Sequence, residues 1–237
     1  MGIGFYARDP VSLPHPPYPK ATLQLIEKAI GEAWRIIRDK PEGDFNIQNA
    51  NEDRITRELR TCLVNKVLGS GAVPGFTREA FHVTREAKFN SFDGTHLDKM
   101  PDLYIYVVRD DPVSLVSDDG LFVECKPVDQ GHPAGRNYCN DGILRFVNGD
   151  YAWALSEALM IGYASPGYTL PNKLTDALAE RKIALKTAGN VRKCPESSAS
   201  DYCQHPHITD HERGFIYPST KREAPKITLR HLWLNRY

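Results

Sequence analysis

The chain carries no surplus of either charge: 30 Lys and Arg face 30 Asp and Glu in 237 residues. Without a general cationic field it cannot hold a polyanion nonspecifically, so a nucleic-acid partner must meet local positive charge or arrive through another subunit. The cysteines are few and odd in number, Cys62, Cys125, Cys139, Cys194 and Cys203. Their scatter argues against a disulfide framework and fits a reducing compartment. No charged segment followed by an apolar run opens the chain, and the longest apolar stretch, around Tyr151 to Ala164, is interrupted by Ser156 and Glu157. The expectation is therefore a cytoplasmic protein with no membrane partner. An acylation signal opening on Gly2 is disfavoured because Tyr6 stands where Ser or Thr is required. A glycine-rich phosphate loop, a helix-turn-helix and a zinc-finger reader are all missing. Any motor or sequence-reading element is accordingly expected on a separate chain.

What is present is an ordinary globular composition, 41% hydrophobic and 25% charged, read as a single domain over 1–237. Its most informative stretch is Gly120-Leu121-Phe122-Val123-Glu124-Cys125-Lys126-Pro127. Side chains alternate along a strand, so Glu124 and Lys126 share one face while Val123 and Cys125 point the other way. An acid and a base side by side on an apolar strand are costly to bury unless they pair or hold a metal. Upstream, Pro101-Asp102 runs into Leu103-Tyr104-Ile105-Tyr106-Val107-Val108, a second strand with Asp102 at its mouth. A hairpin through Arg109 to Asp119 would bring the three side chains together.

Pro101-Asp102 followed by Glu124-Cys125-Lys126 resembles the signature of the PD-(D/E)xK, or restriction-endonuclease-like, nuclease superfamily. That resemblance implies an α/β fold with a central mixed β-sheet flanked by helices and an αβββαβ core. It implies a metal-dependent nuclease, an endonuclease hydrolysing phosphodiester bonds of nucleic acid, DNA in the first instance, in prokaryotic restriction or anti-phage defence. Asp102 and Glu124 would coordinate Mg²⁺ or Mn²⁺ with the main-chain carbonyl of Cys125, and Lys126 would orient or activate the attacking water. The Gln-x-x-x-Tyr pattern of the RecB-type branch is not found. Partners consistent with the family are a second copy of the chain or a separate ATPase, helicase or specificity subunit.

The rest of the chain is read in order. Asp9 to Pro19 holds Pro10, Pro14, Pro16, Pro17 and Pro19, so residues 1–20 form an extended arm laid over the surface. Thr22 is expected to cap a helix through Leu23, Ile26, Ile30, Trp34 and Ile37. Asn49 or Asn51 then caps a second helix, on which Ile55, Leu59, Cys62 and Leu63 share a face and Glu52 falls close to it. In the resembled family a preceding helix often adds an acidic residue to the metal site, and Glu52 is the matching position. Without that role it is a first-turn Glu favoured by the helix dipole. Phe81 to Phe89 is the first strand, after a turn at Gly69 to Gly75.

Pro127 is expected to end its strand and a polar connection to follow through Asn140. A long helix is then predicted from Gly142 to about Tyr163, capped by Asp141, with Ile143, Val147, Ala154, Ala158 and Ile161 on its apolar side. Arg145 and Asn148 would reach the scissile phosphate from it, the alternative being plain surface residues. A helix over Pro171–Arg181 and a short strand over Lys182–Lys186 come next. The tract 189–211 reads as a long loop insertion bearing Cys194, Cys203, His205, His207 and His211. A zinc site there is disfavoured, because the close Cys-x-x-Cys pair of common structural sites is missing. His211 and Arg213 are further phosphate candidates, and Ile227 to Leu234 is the last strand. Two other function classes stay open: a noncatalytic nuclease-fold subunit that binds nucleic acid or a partner, and a zinc-dependent binding module built on the Cys/His tract.

Overall fold

Leu23, Ile26, Ile30, Trp34 and Ile37 recur every three or four residues, and the helix they define, α1 (Lys20–Asp39), buries all five. It starts two residues before Thr22, because Pro19 at its N-cap already holds φ at −55°. In this computed structural model, residues 13–109, 113, 118–195, 197 and 200–237 are described. The second helix, α2 (Glu52–Cys62), is capped by Asn51, whose side chain accepts the Arg54 N–H at 2.9 Å. It continues in a π-helical turn, Leu63–Val67.

Seven strands form one mixed sheet in the order β1-β2-β3-β4-β7-β6-β5. They are β1 (Phe81–Arg85), β2 (Leu103–Val107), β3 (Gly120–Val128), β4 (Glu157–Ala164), β5 (Thr187–Lys193), β6 (His207–His211) and β7 (Ile227–Asn235). β1, β2 and β3 make an antiparallel meander; β4 runs parallel to β3 and β7 parallel to β4; β6 and β5 return antiparallel. The crossover from β3 to β4 carries α3, a π-helical stretch Ala134–Ile143 ending in an α-helical turn Leu144–Val147. A second such helix, α4, joins Leu170–Leu174 to Thr175–Glu180, inside the expected Pro171–Arg181 span but for its first residue.

Helices flank the sheet. Tyr163 stacks on Trp34 of α1 at 5.5 Å and bonds Thr56 of α2 at 2.9 Å. On the other face, Tyr138 of α3 meets Trp233 edge-on at 5.6 Å. Trp34 also donates its indole N–H to the Asn235 carbonyl, which ties the first helix to the last strand. No described helix is long and apolar enough to cross a membrane.

Four expectations are corrected. The helix predicted over Gly142 to Tyr163 ends at Val147, and the last seven residues of that span belong to strand β4. Gly149 (φ +78°) and Ala152 (φ +49°) hold left-handed backbone between them, which no helix continues. Lys182–Lys186 is turn rather than strand, while the supposed loop insertion 189–211 contains most of β5 and all of β6. Pro127 does not end β3, which runs to Val128. The β2–β3 ladder stops at Leu103 opposite Val123, so Pro127 lies beyond it and no donor is missed there. Of the proline-rich arm, residues 1–12 lie outside the described residues. Leu13 to Pro19 is a strap whose Leu13, His15 and Tyr18 are buried, with the His15 N–H on the Ala154 carbonyl. Of the expected β2–β3 connection, 110–112 and 114–117 lie outside the described residues.

Candidate active site

Where the β2–β3 ladder stops, the backbone N–H of Cys125 has no strand partner. The Asp102 carboxylate takes it, Oδ2 accepting at 2.7 Å. Because the N–H and C=O of one strand residue point the same way, the Cys125 carbonyl is on the Asp102 side as well. On the same strand Glu124 and Lys126 share a face, as the alternation required. The Lys126 ammonium lies 3.0 Å from Glu124 Oε1 and 2.8 Å from Glu52 Oε1, with Asp102 Oδ2 at 3.8 Å. Helix α2 delivers Glu52 through its Asn51 cap, so the helical phase that pointed Glu52 inward is what brings it to β3.

Arg145 completes the group from α3. Its Nη1 is 3.6 Å from Glu124 Oε1 and donates to the Tyr151 hydroxyl at 2.6 Å; that hydroxyl in turn donates to the Met100 carbonyl at 2.7 Å. No local sequence pattern marks Tyr151, which falls in the span expected to be helical. α3 can lie this close because Gly142 faces the strands: a Cβ there would meet Met160 Cε at 2.6 Å and approach Lys126 Cγ at 3.6 Å.

The group is graded in exposure. Side-chain accessibility rises from 1% at Glu124 through 11% at Lys126, 19% at Asp102 and 29% at Glu52 to 40% at Arg145. Glu124 is the buried member, and the others are progressively more open to solvent. Burial pushes Glu124 up to about 8, and the neighbouring Asp102 adds to the effect while Lys126 and Arg145 oppose it. Burial likewise raises Asp102 and Glu52 against the pull of Lys126. Burial draws the Lys126 ammonium down, but Glu124, Asp102 and Glu52 together lift it above its ordinary value. Burial likewise draws Arg145 down, but Glu124, Tyr151 and Asp102 together lift it above its ordinary value. Three carboxylates against two cations leave a net charge of −1 if all are ionised.

The donor set suits a hard divalent cation. It consists of oxygens only, and Glu124 Oε2 is buried without a hydrogen-bond partner. Among the described residues, however, no three His, Cys, Asp or Glu side chains are already arranged as a metal site. The carboxylates close on the Lys126 ammonium instead.

The remaining candidates lie apart. Asn148 follows the last turn of α3 and is exposed. His211 is buried on β6, with Nδ1 at 2.8 Å from the Leu185 carbonyl and Nε2 at 2.8 Å from Thr209 Oγ1. Arg213 is buried too, donating to the carbonyls of Pro225, Ala152 and Trp153. Both are engaged inside the core, so neither is placed to meet a phosphate at the carboxylate cluster. The Cys/His tract is spread over separate contacts: Cys194 Sγ accepts from Arg230 at 2.9 Å, His205 faces the Pro206 carbonyl, and His207 faces the His205 carbonyl.

Comparison of the chain with known protein families, curated proteins and solved structures found no match.

Proposed function

We propose that this chain is a metal-dependent nuclease of the PD-(D/E)xK type that hydrolyses phosphodiester bonds, with DNA as its substrate. One observation carries the reading. Asp102, Glu124 and Glu52, from three separate stretches of chain, lie with their oxygens within 3.8 Å of the partly exposed Lys126 ammonium. The order of elements supports it: helix α2, the meander β1-β2-β3, helix α3 and parallel strand β4 follow the αβββαβ sequence of the restriction-endonuclease-like core.

Asp102, Glu124, the Cys125 carbonyl and Glu52 are the groups that would hold Mg²⁺ or Mn²⁺. When bound, such an ion supplies Lewis-acid stabilisation of charge on the phosphoryl oxygens and makes water a better nucleophile. The chain's own side chains account for the remaining roles. An ammonium whose pKa is lifted keeps its proton, so Lys126 serves as a donor that orients water and offsets developing charge. Proton acceptance falls to a carboxylate. Glu52 is the most exposed of the three and its pKa is raised, which brings it nearer to working pH. Arg145, held by Tyr151, presents a planar fork to a phosphate oxygen.

A second reading has its own observation. The carboxylates already pair with Lys126, as in a noncatalytic subunit that only binds nucleic acid. Incubating the protein with supercoiled plasmid, linear duplex, single-stranded DNA and RNA, with Mg²⁺, Mn²⁺ or EDTA, separates the two. Metal-dependent cutting that is lost in Asp102→Ala supports the nuclease, whereas binding without cutting under every condition supports the second reading.

A further inference from the structure

We infer that Arg54, Arg57 and Arg85 form a track for the phosphate backbone of nucleic acid, leading to the carboxylate cluster. This rests on the nucleic-acid reading above and adds the surface that would meet the strand. The three guanidinium groups line a surface pocket of about 460 Å³ together with Asn49, Asn51 and Asp53. Arg54 and Arg57 stand on α2, which also carries Glu52, and Arg85 ends β1 directly opposite Leu103, the neighbour of Asp102. Arg85 is near enough to help hold the Asp102 carboxyl down against burial. The pocket therefore opens beside the cluster, and Arg145 stands with the carboxylates themselves.

The present partners of these arginines are weak holders. Arg54 meets Asp44 at 2.6 Å, but that carboxylate is 92% exposed; Arg85 meets Glu86 at 2.5 Å and Asp53 at 3.3 Å, carboxylates 53% and 81% exposed. Arg57, 59% exposed itself, meets Glu58 only at 3.4 Å. Solvated pairs of this kind contribute little, so a phosphate can replace them at small cost. Donors are also left over: the Nε of Arg54 and the Nε of Arg85 are buried without a partner. Arg54 is steadied over the Phe45 ring at 5.6 Å, which presents its fork as a fixed plane. The pocket's polar floor offers no anchor for an apolar peptide or acyl chain. Three guanidinium groups gathered in one pocket offer the phosphate contacts that a phosphodiester strand requires next to the site.

The test measures binding apart from cutting. Anisotropy of a short fluorescent duplex, in EDTA, is followed against salt for the full chain and for R54Q/R57Q, R54K/R57K and R85Q. The expectation is weaker binding for R54Q/R57Q and a salt slope flatter by about 0.9 for each phosphate that the variant no longer neutralises, with R54K/R57K keeping most of the slope. R85Q is expected to act in the same direction, and thermal melting checks that it folds. The pair of half-buried Arg54 and exposed Arg57 decides the matter should R85Q prove unfolded. Unchanged affinity and slope in R54Q/R57Q overturn the track while leaving the nuclease reading intact. Hydrolysis of bis(p-nitrophenyl) phosphate with no binding of duplex also overturns the track but keeps phosphodiesterase chemistry. A protein that neither binds nor cuts nucleic acid overturns both.

Discussion

Lys126 Nζ and Glu52 Oε1 are 2.8 Å apart although 74 positions separate them in the chain, and that contact joins the first turn of α2 to the C-terminal part of β3. Lys126 is thus a structural tie as well as a candidate catalytic group. A lysine free in solvent would be dispensable to the fold; this one is the ammonium on which the carboxyl groups of Glu52, Asp102 and Glu124 converge.

Lys126→Ala is expected to lose metal-dependent cleavage and also to destabilise the fold by about 3–5 kcal/mol near neutral pH, because it leaves partly buried carboxylates uncompensated. The deficit should shrink in mild acid, where those carboxyls take up protons. Urea melts at two pH values, alongside a cleavage assay, check both parts. A variant of wild-type stability at both pH values contradicts the tie.

Glu124 gives a separate pH signature. Its folded-state pKa, about 8, lies above its ordinary value of 4.5, so the fold holds a proton that the unfolded chain has lost. That contribution is fully present below 4.5 and is lost as pH rises through about 8. Glu124→Gln lacks the titration, so its melting temperature should fall less than that of the parent between about pH 5 and pH 8.5. Parallel curves for the two proteins refute the assignment.

Arg145 is expected to act on turnover more than on stability. It is 40% exposed and is steered by Tyr151, so Arg145→Ala should cut cleavage by about a hundredfold while melting close to the parent, on the scale of losing one preorganised donor. Tyr151→Phe should give a smaller loss, since the guanidinium remains but its guide is gone. Steady-state cleavage of a linear duplex reads both, and full activity in Arg145→Ala removes it from the site.

The core holds an acid-sensitive chain of hydrogen bonds. The His211 Nδ1–H faces the Leu185 carbonyl, which makes its Nε2 an acceptor for Thr209. Thr209 then accepts from His231 Nε2–H, and His231 Nδ1 lies 3.0 Å from the Tyr138 hydroxyl, whose one proton is shared between that nitrogen and the Met160 carbonyl at 3.2 Å. Both imidazoles are neutral in this arrangement, and burial lowers both pKa values below 6.5. Their contribution to stability is present above 6.5 and is lost as pH falls through the folded-state values. Thr209→Val, which orphans two ring nitrogens, should cost about 2 kcal/mol or more by urea titration at neutral pH. A neutral effect rules out the directional chain.

How much of this could be read beforehand follows from what each residue faces. Glu52, Asp102, Glu124 and Lys126 were legible, because a strand alternates, a helix repeats, and charged groups at inward positions stand out. β4 was misread because it is buried along almost its whole length, so it shows no alternation and its apolar spacing mimics a helical stripe. β6 was misread for the opposite reason: its inward residues, His207, Thr209 and His211, are polar, and two of them join the bonded chain just described. β5 is an edge strand with mostly exposed positions and no apolar signal. Arg85 and Tyr151 depend on pairing across strands and loops, which local periodicity does not carry.

The place of β7 bears on how the molecule assembles. Ile227–Asn235 lies between β4 and β6, so the β5–β6 hairpin can join the meander only after that late segment has been inserted. Until then β4 and β6 each offer an unpaired row of amides and carbonyls, the kind of surface that recruits neighbouring chains. Yield on refolding should consequently decline with protein concentration, and truncating the chain before residue 227 should convert it into aggregate rather than into a smaller soluble domain.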